Sequence, residues 1–259
     1  MKNYKIGENK LSVDIVEEII SNDIVISLSS SSKKKVNSSC NYLLKKIKSE
    51  NNPIYGINTG FGSLYNHKIS NNELSKLQKN LVVSHACGVG EEIPSELVKI
   101  ILLLKIQSLS FGNSGVNIKT IQRLIDMYNN DILPIIYEQG SLGASGDLAP
   151  LAHMSLPLLG LGDVEVLNNP KYKKYDRIKS SKILKDMCWD QLSLGPKEGL
   201  ALLNGTQFMG AYGVWCLAKA KKLSYIADLI SAISLDAFDC RKDPFDRLIH
   251  DLRPHKGQI

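Results

Sequence analysis

"KEGLALLNGTQFMGAYGVWCLAKAKKLSYIADLISAISLDAF", residues 197–238, repeats apolar residues at helical spacing over far more than an ordinary helix length. The pattern predicts long bundle helices with a break near Gly205, and it sets the class of the chain as mainly α. Upstream, helical periodicity recurs over residues 11–20, about 37–50, from Asn72 through "NELSKLQKNLVVSHACGVG", over 95–110 after Pro94, and about 117–129. "LAPLAHMSLPLLGLG" is helical but punctuated by Pro150 and Pro157. Only Ile24 to Leu28 and a piece around "DVEVL" read as strands, and "SSSSKKKVNSS" reads as an exposed turn. The expected architecture is a small mixed amino-terminal part leading into a long-helix bundle.

Of the 259 residues 43% are hydrophobic and 22% charged, an ordinary globular composition. The net charge of +6 is scattered apart from Lys33-Lys34-Lys35 and Lys171 to Lys174, which read as solvated turns; no arginine or aromatic stripe points to nucleic acid. "MKNYKIGENK" is not followed by an apolar run, and "LVKIILLLKI" is interrupted by Lys99 and Lys105, so neither a secretory leader nor a membrane span is expected and the chain reads as cytoplasmic. Cys40, Cys87, Cys188, Cys216 and Cys240 are odd in number and widely spaced, which suggests reduced packing residues rather than disulfides or a zinc site.

Familiar motifs fail one by one. "GFGSLY" (60–65) has Tyr65 where a dinucleotide fingerprint needs glycine or alanine, and "GASGD" has Asp147 where a nucleophile elbow needs glycine. No phosphate loop and no H-E-x-x-H occurs. "QGSLGASGDLAPLAH" (139–153) then allows two readings. In one, Ser145 or Asp147 caps the helix that follows and the glycines permit unusual φ. In the other the backbone is the reagent: Gly146 nitrogen attacks the Ala144 carbonyl, a five-membered ring closes, and loss of two waters leaves Ser145 as an exocyclic alkene. Alanine is small, serine brings the leaving hydroxyl, and glycine lets its nitrogen come close. The product is an electrophile in the part usually taken by a cofactor.

The chain resembles the aromatic amino acid ammonia-lyases, and within them the histidine ammonia-lyases. The resemblance is carried by "YGINTGFG" (55–62), "NLVVSHACGVG" (80–90), "SFGNSGV" (110–116), "GSLGASGDLAPLAHMSLPLLGLG" (140–162), "KEGLALLNGTQFM" (197–209) and "RPHKGQ" (253–258). It implies a methylidene-imidazolone formed autocatalytically from Ala144-Ser145-Gly146, with no metal or diffusible cofactor, and deamination of L-histidine to trans-urocanate and ammonia. It also implies Tyr55 as the residue that removes the β-proton, on a loop freed by Gly56, Gly60 and Gly62. His85, followed by the small Ala86, would contact the substrate ring, Asn204 would lie beside the prosthetic group, and Asp147 would assist cyclisation. His153 is expected to be structural, and the helix starting near Leu148 to aim its positive end at the ring.

The same resemblance implies a domain over 1–195 carrying the triplet and, over 196–259, the start of a central helical bundle that is incomplete. It implies a homotetramer, whose subunits share active sites. The bundle pattern needs partner helices, so either another chain covers it or the chain is the amino-terminal half of a longer one. A truncated non-catalytic product and a tyrosine or phenylalanine ammonia-lyase stand as alternatives, the phenylalanine type tending to carry an apolar residue at the position of His85.

Overall fold

The structure, a computed structural model, describes residues 3–49, 52–62, 65, 67, 69–167 and 176–258. The Lys171 to Lys174 run lies outside the described residues. The chain divides into two compact units, one ending at Trp215 and the other beginning at Cys216.

The first unit is built around the segment that failed as a membrane span. Helix α4 (Ser95–Ser110) follows β1 (Asn3–Ile6), α1 (Val13–Ser21), β2 (Val25–Leu28), α2 (Ser30–Ser49), α3 (Leu74–His85) and β3 (Val89–Glu92). It buries residues on every side, among them Ile101, Leu102, Leu103 and Ile106, all fully covered. A helix apolar all round is a central helix. Each such side chain removed from water contributes about 1.5–3 kcal/mol, before the entropy of ordering is set against it. Helix α5 (Ile118–Asn129) packs on α4 with a sharply two-sided pattern, burying Ile121, Leu124, Ile125 and Tyr128.

Three small sheets lie around these helices. β1 and β2 pair in parallel, with Ile6 opposite Leu28. β4 (Ile132–Pro134), β6 (Asp163–Val166) and β7 (Asp176–Lys179) form an antiparallel sheet in the order β4-β6-β7, and β3 pairs with β5 (Tyr137–Gln139). After β5 come α6 (Leu148–Ser155), α7 (Ser180–Asp186), α8 (Glu198–Leu203) and α9 (Gln207–Ala237). The break expected near Gly205 is the corner between α8 and α9. The chain is therefore mainly helical, with a small mixed part leading into one very long helix.

In two places the structure departs from expectation. "SSSSKKKVNSS" is the first half of α2 rather than a turn: the Ser29 hydroxyl accepts the Ser32 amide at 3.1 Å, so serine acts as a cap, and the lysines line an exposed face while Val36, Leu43 and Ile47 turn inward. The cysteines are not core residues, since Cys87, Cys188, Cys216 and Cys240 are exposed and Cys40 is half-buried. The second unit continues α9 to Ala237, makes a 3-10 turn at Asp243–Phe245 and ends in α10 (Arg247–Leu252). Its Leu223, Tyr225, Ile233 and Phe238 are exposed. Among the described residues no helix is long and apolar enough to cross a membrane, and no group of three His, Cys, Asp or Glu could hold a metal ion.

Lys99 of α4 is tied to Asp131 at 2.6 Å and to Asp23 at 2.9 Å. Burial alone pulls its pKa down, but hydrogen bonds and charge from Asp131 and Asp23 lift it above the ordinary lysine value. The stability this contributes is present below the unfolded lysine value of ~10.4 and is lost as pH rises through the folded one. Denaturant unfolding is expected to show Lys99→Met losing ~3 kcal/mol, because the buried Asp131 is left without its ammonium. Asp23→Asn, which removes the charge of a side chain 72% exposed yet tolerates the positive φ there, should lose under ~1 kcal/mol.

Candidate active site

Gly146 and Asp147 are buried while Ala144 and Ser145 are exposed, so the triplet sits at the edge of the first unit with its glycine turned inward. Gly146 has φ +117°, and a Cβ placed there would meet the Gly205 nitrogen at 2.7 Å and its carbonyl oxygen at 2.8 Å. Only glycine fits both the backbone angle and that approach. The next residue locks the contact, because the Asp147 amide donates to Gly205 O at 2.8 Å. Backbone from the α8–α9 corner thus cradles the back of the triplet.

Asp147 stands at the N-cap position of α6, yet its side chain makes no capping bond to that helix. Its carboxylate accepts instead the Met209 amide, in the first turn of α9, at 3.0 Å, and the Ser141 hydroxyl at 2.8 Å. The capping expected of Asp147 is real but is given to a different helix. Two helix N-termini therefore meet at one buried carboxylate, where unpaired amides and the positive ends of both dipoles favour negative charge. Ser145 caps nothing among the described residues.

Helices α3, α6 and α8 pack on one another in all three pairings. Their ends carry His85, Asp147 and Asn204. His85 closes α3, half-buried, with Nδ1 2.8 Å from Leu81 O. A carbonyl only accepts, so Nδ1 carries the hydrogen and Nε2 presents a lone pair in the neutral ring. The loop after it is tied beside the triplet: a Cβ on Gly140 would meet Gly88 Cα and Ala149 Cβ at 3.1 Å, and the Gly88 amide donates to His153 Nε2 at 2.9 Å. His153 also stacks edge-on with Tyr137 at 5.1 Å, and burial lowers its pKa. Asn204 ends α8 in an extended conformation with its side chain exposed.

Tyr55 is 58% exposed and meets Phe61 edge to face at 6.1 Å. Gly56 (φ +73°) lies so close to Leu200 of α8 that a Cβ would overlap Cδ2, which seats the Tyr55 turn on the helix that carries Asn204. Gly62 also has positive φ, at +56°, and has open space around it. Gly60 does not adopt positive φ; it is buried and its amide donates to His67 O at 3.0 Å.

Two buried charges near the site went unread in the sequence. Glu198 of α8 accepts the Asn117 amide, the Thr120 hydroxyl and the Gly195 amide at 2.8, 2.7 and 2.6 Å, which anchors α8 to the start of α5. Lys105 of α4 is 1% exposed and donates to Ala201 O at 3.2 Å. Burial pushes its pKa down to about 7, and the charge of Asp147 opposes that fall. The available signal was a lysine inside an otherwise apolar run.

A family model described as aromatic amino acid lyase matches residues 11–259. The chain is 39% identical over 259 residues to a histidine ammonia-lyase of Caldanaerobacter subterraneus subsp. tengcongensis, covering all of this chain and 49% of that relative. Its fold superposes on the crystal structure of histidine ammonia-lyase from Trypanosoma cruzi with a TM-score of 0.89 at 32% identity, covering 99% of this chain and 49% of that one. Tyrosine aminomutase from Streptomyces globisporus is similar too, with a TM-score of 0.89 at 30% identity over 99% of this chain and 47% of that one. The chain thus spans about half the length of the relatives it matches.

Gly146→Ala is expected to cost ~1–3 kcal/mol in chemical unfolding, since it meets backbone in a conformation alanine resists. Gly205→Ala should cost less, because its new methyl meets the movable side-chain amide of Gln207. His153 must be neutral to accept the Gly88 amide, so its contribution holds above the unfolded value of ~6.5 and is lost as pH falls towards the lowered folded value. Hydrogen exchange at Gly88, corrected for intrinsic rate, should quicken between pH 7 and pH 5.

Proposed function

We propose, for a chain that belongs to the aromatic amino acid lyase family, an ammonia-lyase that converts L-histidine to trans-urocanate and ammonia. The observation that carries this reading is the cradle at Gly146. A glycine at φ +117° pressed on the Gly205 backbone, followed by a buried carboxylate, leaves the Ala144-Ser145-Gly146 backbone free to fold on itself with no side chain in the way. These residues fit a methylidene-imidazolone made from the triplet, and that group, once formed, supplies an electrophilic carbon to which a substrate amine is drawn.

The remaining roles fall to the chain's own side chains. His85 offers its Nε2 lone pair to the imidazole N–H of the substrate, a donor that phenylalanine lacks. Tyr55, exposed on a turn seated against α8, removes the β-proton, which needs a phenolate-favouring surrounding when substrate is bound. Asn204 holds the bound amino acid with its exposed carboxamide, and Asp147 takes part in closing the ring. The triplet immediately precedes the start of α6, a helix end whose free amides favour negative charge building up beside it. We read the working enzyme as a homotetramer, a reading supported by the exposed apolar residues Ile230 at 57% and Ile233 at 60% on α9 and Phe238 at 83% just beyond it.

Mass spectrometry of the purified 259-residue chain is expected to find the peptide containing residues 144–146 lighter by two waters. Ser145→Ala, without a hydroxyl to lose, should show a deficit of at most one. An unmodified wild-type peptide would overturn the reading. In an active assembly, His85→Phe should shift the ratio of kcat/KM for histidine over phenylalanine towards phenylalanine by ~10- to 100-fold, read from urocanate and cinnamate absorbance.

A further inference from the structure

Lys105 is a charged group that the proposed reaction does not use, and it occupies the centre of the first unit. Its side chain leaves α4 fully buried and ends 3.2 Å from Ala201 O. That carbonyl lies in the last turn of α8, where a helix cannot pair its own oxygens, and an ammonium there also suits the negative end of the helix. One turn further, Gly205 accepts the Asp147 amide at 2.8 Å and lies so close behind Gly146 that a Cβ placed there would meet Gly205 N at 2.7 Å. The residue before Lys105 touches the start of α9 as well, Leu104 Cδ1 lying 3.5 Å from where a Cβ on Gly210 would sit.

We propose that Lys105 is a positioning residue for the self-modification of Ala144-Ser145-Gly146, its ammonium holding Ala201 O at the end of α8 and so keeping Gly205 against the triplet and its Asp147 neighbour. The proposal rests on the reading of the triplet given above. In ring closure Gly146 N bonds to Ala144 C. The amide hydrogens of Gly146 and Ser145 leave with the Ala144 oxygen as one water, and the Ser145 hydroxyl leaves with its α-hydrogen as the second. Asp147, buried between two helix starts, relays the Gly146 proton, and Lys105 compensates its charge where water cannot.

The negative charge of Asp147 works against the fall that burial imposes on the Lys105 pKa. On α8, Glu198 is committed to Asn117, Thr120 and Gly195, and residues 207–218 of α9 carry no charged side chain. Burial brings the Lys105 pKa down to about 7, so the compensation is present below that pH and lost above it. Arginine at the same place would stay charged throughout.

The test is to isolate the chain unfolded and unmodified, refold it at pH 6 to 9, and follow the mass of the triplet peptide with time. Circular dichroism and melting temperature report the fold. In wild type the dehydration rate should fall about tenfold per pH unit above 7. Lys105→Met loses the tie to Ala201 and should melt somewhat lower while still folding, yet dehydrate at least ~100-fold more slowly, far more than the loss of stability accounts for. Lys105→Arg should dehydrate with no fall between pH 7 and 9. Lys105→Met dehydrating at the wild-type rate overturns the proposal and leaves the ring reading standing. Should Lys105→Met fail to fold, the arginine variant decides: an unchanged fall above pH 7 overturns the role. A wild-type chain with no mass deficit at any pH removes the ring reading and this role together.

Discussion

A carboxylate taken out of water needs donors, and the way Asp147 finds them arranges everything around the triplet. It accepts from the third residue of α9 and from Ser141, while its own amide reaches Gly205. Those bonds join the start of α6, the end of α8 and the start of α9 at one point. Leaving such a carboxylate partly unpaired would cost several kcal/mol, which fixes the three elements more firmly than apolar contact alone would. The approach of Gly146 to Gly205 follows from that joint.

Helix α8 has only six residues and could not persist by itself. It is held from outside. Glu198 ties its first turn to the start of α5, Gln78 of α3 accepts the Leu200 amide at 3.3 Å, and Lys105 meets Ala201 in its last turn. Each tie joins a buried polar group to a partner far away in sequence, so the short helix owes its position to its neighbours. The same helix supports the Tyr55 turn through Leu200 and presents Asn204 at its end. Residues from four separated stretches of the chain thereby share one support.

How much of this could be read in advance follows from what each feature depends on. Helices α3, α4 and α5 were legible because their apolar residues recur at helical spacing, and the α8–α9 corner because Asn204-Gly205 interrupts such a pattern. Helix α2 was not, since its serines and lysines look like a loop until Ser29 is known to cap it. The three-residue strands β4 and β5 carry too little periodicity to register, whereas the alternating four-residue strands β2 and β6 do register. In the site, Asp147 was marked as a helix cap, but its true partner, Met209, lies on another helix and no local rule could name it. Lys105 looked like an interruption in a greasy run because a sequence does not say which carbonyl waits at the end of a buried side chain.

Asp147 and Met209 are 62 positions apart along the chain, and Gly205 lies on the later side of that gap. The ribosome adds residues in order, at roughly 5–20 per second. For several seconds of synthesis a growing chain therefore holds the alanine, serine and glycine but nothing to press them into shape. The glycine cradle exists only after the α8–α9 corner has emerged and docked, so the nascent peptide passes through a long interval in which these three residues are ordinary backbone.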